Sequence, residues 1–219
     1  MDYRDPRTKN ADIELMYSYA KEVDPPPSCT QVPTAWTRVP LPRPASGTEK
    51  HLLNELSRLL YLTYGVQSEM NFGPLPRSRR TPPSFGASHP FDIAVITSRI
   101  SGERTAYYYQ PVEHSLVILP ASAYDVAVSA PPETSGCRDI ELSIHLAIER
   151  VHWRYRTSTV YPIILLDLGH LTETLRQVAD SMDIRLTATA GRTEPALSKS
   201  DQVLGPRLRQ YRACLKTRG

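Results

Sequence analysis

Apolar residues recur at three- and four-residue steps between residues 49 and 64: Leu52, Leu53, Leu56, Leu59, Leu60 and Tyr64 form one stripe. That spacing predicts an amphipathic helix, and Gly65 is placed to end it. The stretch from Gln67 to His89 has no such period and is rich in Pro, Gly and Arg, so a loop is expected. Phe91–Thr97 (FDIAVIT) reads as a strand, followed by a polar turn around Ser101 and Gly102. Thr105–Leu119 reads as a hairpin turning at Gln110–His114, with Tyr107 and Tyr109 on one face and Tyr108 on the other.

Residues 129–138 are expected to form a loop. Ile140, Leu142, Ile144, Leu146 and Ile148 then alternate with Glu141, Ser143, His145, Ala147 and Glu149, the pattern of a half-buried strand. A second helix is expected over about 167–182, with Leu168, Leu171, Leu175, Val178, Ala179 and Met182 on its apolar face. A strand over 184–190 and a short helix near 201–216 close the list of elements. Strands mixed with a few helices, without regular βαβ alternation, indicate an α+β fold. The expected organisation is an extended Pro-rich arm over 1–45, one core domain over 46–191 and a basic tail over 192–219, possibly helical in part.

Composition bounds these elements. A chain of 219 residues with 40% apolar and 22% charged residues can build one sizeable core. No apolar run approaches the roughly eighteen residues a membrane-spanning helix needs, and the polar N-terminus shows no secretory h-region. Cys29, Cys137 and Cys214 have neither pairing nor metal-ligand spacing, which suits a reducing compartment. A cytoplasmic protein is expected, without a membrane. Net charge is +3, and the excess gathers in Arg207, Arg209, Arg212, Lys216 and Arg218. A solvated helix face is expected there in preference to a nucleic-acid site, because no nucleic-acid-binding motif accompanies it. The proline-dense segment 24–44 reads as an extended arm that docks on a surface, such as a second subunit, or as a linker.

Phosphate-binding, dinucleotide, nucleophile-elbow and zinc-protease motifs are absent from the sequence. The six histidines are dispersed, and no metal site is expected. What remains is Arg79–Pro90 (RRTPPSFGASHP), immediately before a strand. Its prolines fix a path, Gly86 and Ala87 allow a close approach to the backbone, Ser84 offers a hydroxyl, and Arg80 suits a phosphate. A Pro-rich surface loop is the plain alternative from these residues alone.

This stretch resembles the Arg-x-x-Pro-Ser-x-Gly-Ala-x-(Tyr/His)-Pro element of the SagB-type (McbC-like) oxidoreductases, a branch of the FMN-dependent nitroreductase superfamily. Further likenesses follow in the family's order. Leu41–Pro44 resembles the approach segment, and Leu56–Val66 the first core helix. Ala106–Leu116 resembles the Gly-x-Tyr-x-Tyr-Asp-Pro-x-x-His-x-Leu hairpin, and Leu165–Leu175 the Leu-Asp-x-Gly-His helix. The resemblance implies a nitroreductase-like fold, a mostly antiparallel central sheet flanked by helices, here in an unusually short chain. It also implies FMN-dependent oxidation of thiazoline and oxazoline rings in a ribosomally made peptide.

On that likeness Arg80, Pro83, Ser84, Gly86, Ala87 and His89 would bind FMN. Asp167, Gly169 and His170 would open the helix backing the site, and Tyr155 would be the candidate base. A homodimer is implied, or a hetero-oligomer with a cyclodehydratase or a homologous dehydrogenase subunit, acting on an azoline-bearing peptide. A flavin-free scaffold or substrate-binding subunit beside a catalytic homologue is the alternative. The chain differs from the family pattern in lacking its Arg-Arg-Ser-x-Arg segment, in carrying Arg154 before Tyr155, and in replacing a Gly-Gly-Phe region after the last expected strand.

Overall fold

The computed structural model describes residues 34–42, 52–72, 75–98, 100–101, 103–120, 137–152, 155, 160–188, 204 and 207–216. The expected arm before residue 34, the loop over 129–136, the ends of the helix at 49–51 and of the strand at 189–190, and most of 153–159 lie outside them.

In chain order the strands are β1 (Arg38–Pro40), β2 (Ser68–Phe72), β3 (Leu75–Arg79), β4 (Phe91–Thr97), β5 (Thr105–Gln110), β6 (Ser115–Ile118), β7 (Cys137–Leu146), β8 (Arg185–Ala188) and β9 (Arg207–Lys216). Helices α1 (Leu52–Tyr64), α2 (Glu149–His152) and α3 (Val160–Ser181) complete the set. Seven strands form one sheet in the order β1-β6-β5-β4-β7-β9-β8, and β2 and β3 pair separately. Every described pairing is antiparallel. This is the expected α+β architecture.

The two faces of the sheet differ. On one, Ile93, Val95, Tyr107, Tyr109, Leu116, Ile140, Leu142 and Ile144 pack against α1 and α3 in a single apolar cluster. On the other, Ala94, Ile96, Ala106, Tyr108 and Val117 pack with Leu204, and Trp36 joins them. The three consecutive tyrosines therefore divide as their alternation predicts. Helix α1 buries Leu56, Leu59, Leu60 and Tyr64. It ends where the amide of Gly65 donates to the carbonyls of Leu60 (3.1 Å) and Tyr61 (3.0 Å). A Cβ on Gly65 would sit 2.7 Å from the Tyr61 ring and 2.8 Å from its carbonyl oxygen, so the chain turns there only because no side chain is present.

Four expectations change. The loop over 67–89 contains the β2–β3 hairpin, which the polar, proline-bearing segment conceals because it has no apolar alternation. Helix α3 begins seven residues before Asp167, at Val160. Its first turn tolerates Pro162, because amides there have no intrahelical partner. The alternating strand is not half-buried: Glu141, Ser143 and His145 are buried as well as the aliphatic residues between them. Finally, the expected helix near 201–216 is strand β9, inserted between β7 and β8. Tyr211 and Ala213 pack on the apolar cluster from one face of β9. The sheet thus takes a strand from each of the segments set apart as arm and tail.

Helix α3 closes with Asp183 at φ 57°, while Ile184 donates to the carbonyl of Ala179 at 2.9 Å. A left-handed conformation costs an ordinary residue energy that glycine escapes, and an acid at a helix C-terminus opposes the macrodipole. Asp183→Gly is therefore expected to raise stability by about 0.5–1 kcal/mol, read as an upward shift of the urea midpoint.

Candidate functional site

The segment between β3 and β4 is built around one tight turn. Ser84 is extended (φ −141°, ψ 140°), and Phe85–Ala87 form a single 3-10 turn. Gly86 has φ 60°, Ala87 φ 54° and His89 φ 44°. Three residues in four positions are left-handed; the two that are not glycine, Ala87 and His89, store about 1–3 kcal/mol each and persist only where surroundings enforce them.

The surroundings are identifiable. Asp167 is buried in the second turn of α3. Its carboxylate accepts the Ser84 hydroxyl at 2.7 Å and the Phe85 amide at 3.0 and 3.2 Å. Ser84 Oγ in turn accepts the His89 amide at 2.9 Å. The amides of Ala87 and Ser88 donate to the carbonyls of Ser84 and Phe85. Tyr155, which follows α2, arrives from the outside. Its ring lies 4.6 Å from that of Phe85, and its hydroxyl is 2.5 Å from where a Cβ on Gly86 would be.

The expected site residues thus separate into two groups. Ser84, Gly86 and Tyr155 meet at the outer turn, with half-buried Ala87 beside them and Pro83 exposed. Arg80 and His89 face inward. Both are buried, and the Arg80 guanidinium lies 4.3 Å over the ring of Tyr64. The Tyr64 and His89 rings meet edge to face at 6.1 Å. Gly169 and His170 are on the exposed side of α3, away from the turn that Asp167 holds.

Two residues escaped the sequence reading. Phe85 is 42% exposed and forms the aromatic rim of the turn with Tyr155. Arg150 donates through Nη1 to the carbonyls of His89 (3.1 Å) and Phe91 (3.0 Å), and through Nη2 to Asp92 at 2.7 Å. Its neighbours Glu149 and His152 are polar too, so no signal in the sequence set Arg150 apart.

His89 Nε2 donates to the carbonyl of Ser78 at 3.0 Å. Burial first, and the nearby charge of Arg80 second, hold its pKa down at about 3 against the Ser78 contact. The native imidazole is therefore neutral where the unfolded one, with its ordinary value near 6.5, binds a proton. Stability should rise with pH between about 3 and 6.5, with a slope approaching about 1.4 kcal/mol per pH unit from this group. Denaturant titrations at several pH values check this: His89→Gln should flatten that slope, and an unchanged slope would place its origin elsewhere.

FMN, implied by the resemblance, can be tested against this geometry. It carries a phosphate and a planar ring that needs donors and an open backbone face. Here the donors of Ser84, Phe85, Ala87, Ser88 and His89 are engaged within the protein. Arg80 is buried on Tyr64, and Tyr155 covers Gly86. As the loop stands, these residues do not fit FMN. Among the described residues no cluster of three or more His, Cys, Asp or Glu could hold a metal. No helix among them is long and apolar enough to cross a membrane.

Comparison with known proteins accords with this architecture. No protein-family model matches the chain. The trifolitoxin-processing protein TfxF of Rhizobium leguminosarum bv. trifolii is 27% identical over 198 residues, covering 88% of this chain and 70% of that protein. A solved structure from Anabaena variabilis, assigned to the nitroreductases, superposes with a TM-score of 0.66 at 20% identity. The chain has a nitroreductase-like fold. This nitroreductase-like chain covers 91% of itself in the Anabaena match but only 46% of that protein, so it spans less than half of it. A further match is the E. coli microcin synthetase McbBCD complex with truncated pro-MccB17 bound. It has a TM-score of 0.55 at 20% identity, over 92% of this chain and 80% of that one.

Proposed function

We propose that this chain serves the maturation of a ribosomally made peptide, as the nitroreductase-like subunit that oxidises thiazoline and oxazoline rings to thiazoles and oxazoles. The observation that carries the reading is the convergence of three segments distant in sequence. The Ser84–Gly86 turn, Tyr155 and Asp167 meet at one place, and the order of these segments is the one that the SagB-type resemblance expects. The likeness to TfxF, a trifolitoxin-processing protein, supports the peptide context.

The reaction removes two hydrogens per ring and would need a two-electron acceptor; FMN, the acceptor the resemblance implies, does not fit the turn as it stands. On this reading Tyr155, which packs beside the turn, would take a proton, and Ser84 with Asp167 keeps the turn in shape. The work would be done in the cytoplasm, beside partner subunits that install the rings. A second reading, a flavin-free scaffold or substrate-binding subunit next to a catalytic homologue, is favoured by the engaged donors of the turn and the burial of Arg80.

Reconstitution with the ring-forming partners and an azoline-bearing peptide distinguishes the two. Loss of two hydrogens per ring in the peptide mass, with FMN released from this chain on heating, supports the first. Ring oxidation that persists while this chain holds no flavin supports the second. An unmodified peptide, with every partner present and active, sinks the dehydrogenase reading.

A further inference from the structure

The first half of α3 turns an apolar face outward. Tyr161, Leu165 and Leu166 are 53%, 65% and 64% exposed, and Pro162 and Gly169 lie exposed among them. Residues 162, 165, 166 and 169 recur at three- and four-residue steps, so they share one side of the helix. A single exposed leucine is ordinary. A contiguous apolar patch on the order of 400 Å² is of the size that marks an interaction site.

Gly169 is an independent sign of the same thing. It lies inside α3 without a positive φ, and a Cβ there would meet nothing within 4 Å. Glycine weakens a helix interior relative to alanine, and nothing among the described residues requires it at this position. A surface that approaches the helix backbone closely does. The charges beside the patch select that surface. The patch itself carries none, and the charges that follow are paired within the helix, Arg176 with Glu173 and with Asp180, each at 2.6 Å. An identical face can therefore approach without like-charge repulsion. A membrane surface calls for lysines and arginines flanking the apolar side chains, and this stretch offers one arginine, already paired.

We propose that this face is the interface of a homodimer in which α3 packs antiparallel on α3 of a second copy about a two-fold axis. With the axis between Leu165 and Leu166, each Leu165 meets the other copy's Leu166, and each Pro162 ring lies over the open side of the other copy's Gly169. The ion-paired second half of the helix falls outside the contact. Two such patches with their polar rim reach the roughly 1,000 Å² that a specific interface buries. The pairing is independent of whether the chain binds flavin.

Sedimentation equilibrium over a concentration series tests this on the full chain, comparing wild type with Leu166→Glu and Gly169→Ala, and urea unfolding of dilute samples accompanies it. Wild type is expected at twice the mass of the chain. Leu166→Glu should be folded and monomeric throughout, because dimerisation would bury two unpaired carboxylates beside the axis. Gly169→Ala should show opposed effects: a dimer Kd raised at least about ten-fold, and a higher urea midpoint for the dilute monomer. It decides the matter even if Leu166→Glu does not fold. A higher midpoint with an unchanged dimer Kd overturns the packing, since no surface then approaches Gly169. A monomeric wild type overturns it too, whatever other partner or vesicle it binds, as does a dimer that Leu166→Glu leaves intact.

Discussion

Replacing Arg150 by alanine is expected to lower the unfolding free energy by about 3–5 kcal/mol, the cost of leaving a buried charge without its counter-ion. Both side chains of the Arg150–Asp92 pair are only 3% exposed. The guanidinium also satisfies two carbonyls, those of His89 and Phe91. After the substitution Tyr108 still donates to Asp92, but at 3.3 Å, which does not neutralise a carboxylate. The damage has a direction, because the two carbonyls bracket the junction between the strained turn and β4. Arg150→Lys should recover only part of the loss, since one ammonium cannot reproduce the planar fork that reaches all three acceptors. Urea unfolding of the three proteins measures it. A change under about 1 kcal/mol in the alanine variant would mean that water reaches the pair.

A second large effect is expected at His114, which is buried at the tip of the β5–β6 hairpin with φ 52°. The Pro42 carbonyl can only accept, so the Ser57 hydroxyl donates to it. Ser57 Oγ then accepts from His114 Nε2 at 2.8 Å, and Nδ1 accepts from the Tyr109 hydroxyl at 2.9 Å. The chain of bonds fixes one tautomer and joins the hairpin, α1 and the segment after β1. The His114 carbonyl adds a bond from the Leu41 amide at 3.1 Å. His114→Ala strands the buried Tyr109 hydroxyl, worth about 1–3 kcal/mol, takes from Ser57 Oγ the bond it accepts, and leaves the volume of the imidazole unfilled. A loss of about 3–5 kcal/mol should appear in thermal or urea unfolding. Native-state hydrogen exchange should report faster opening at Leu41 than at core amides of β4. Protection at Leu41 equal to wild type would show that β1 is held by its ladder with β6 alone.

The elements legible in the sequence were those whose two sides differ in polarity. Helix α1 has a single apolar stripe, and β4 through β6 are bounded by turn residues, so the end of α1 and the limits of these strands fall within a residue or two of expectation. The first half of α3 was missed for the opposite reason. Tyr161, Leu165 and Leu166 are exposed at 53%, 65% and 64%, so both sides of that half are apolar and no period stands out. Strand β9 was concealed by charge, since a segment carrying Arg207, Arg209, Arg212 and Lys216 without an acid looks like a solvated tail until a partner strand is known. At the candidate site, the residue types of the turn and its nearness to Tyr155 and Asp167 followed from resemblance. The inward burial of Arg80 did not, because neither composition nor spacing tells whether an arginine meets a ligand or the ring of its own Tyr64.

The place of β9 has a consequence for synthesis. This strand is the last described segment of the chain, yet it lies between β7 and β8 and is the only strand that pairs with β8 among the described residues. While the ribosome is still making residues 147–206, β7 presents an unpaired edge and β8 has no ladder to join. The sheet can be completed only after residues 207–216 have left the exit tunnel. Strand pairing across such a sequence separation is slow, and an open edge invites association with other nascent chains. Completion of this sheet is therefore expected to wait until β9 has emerged.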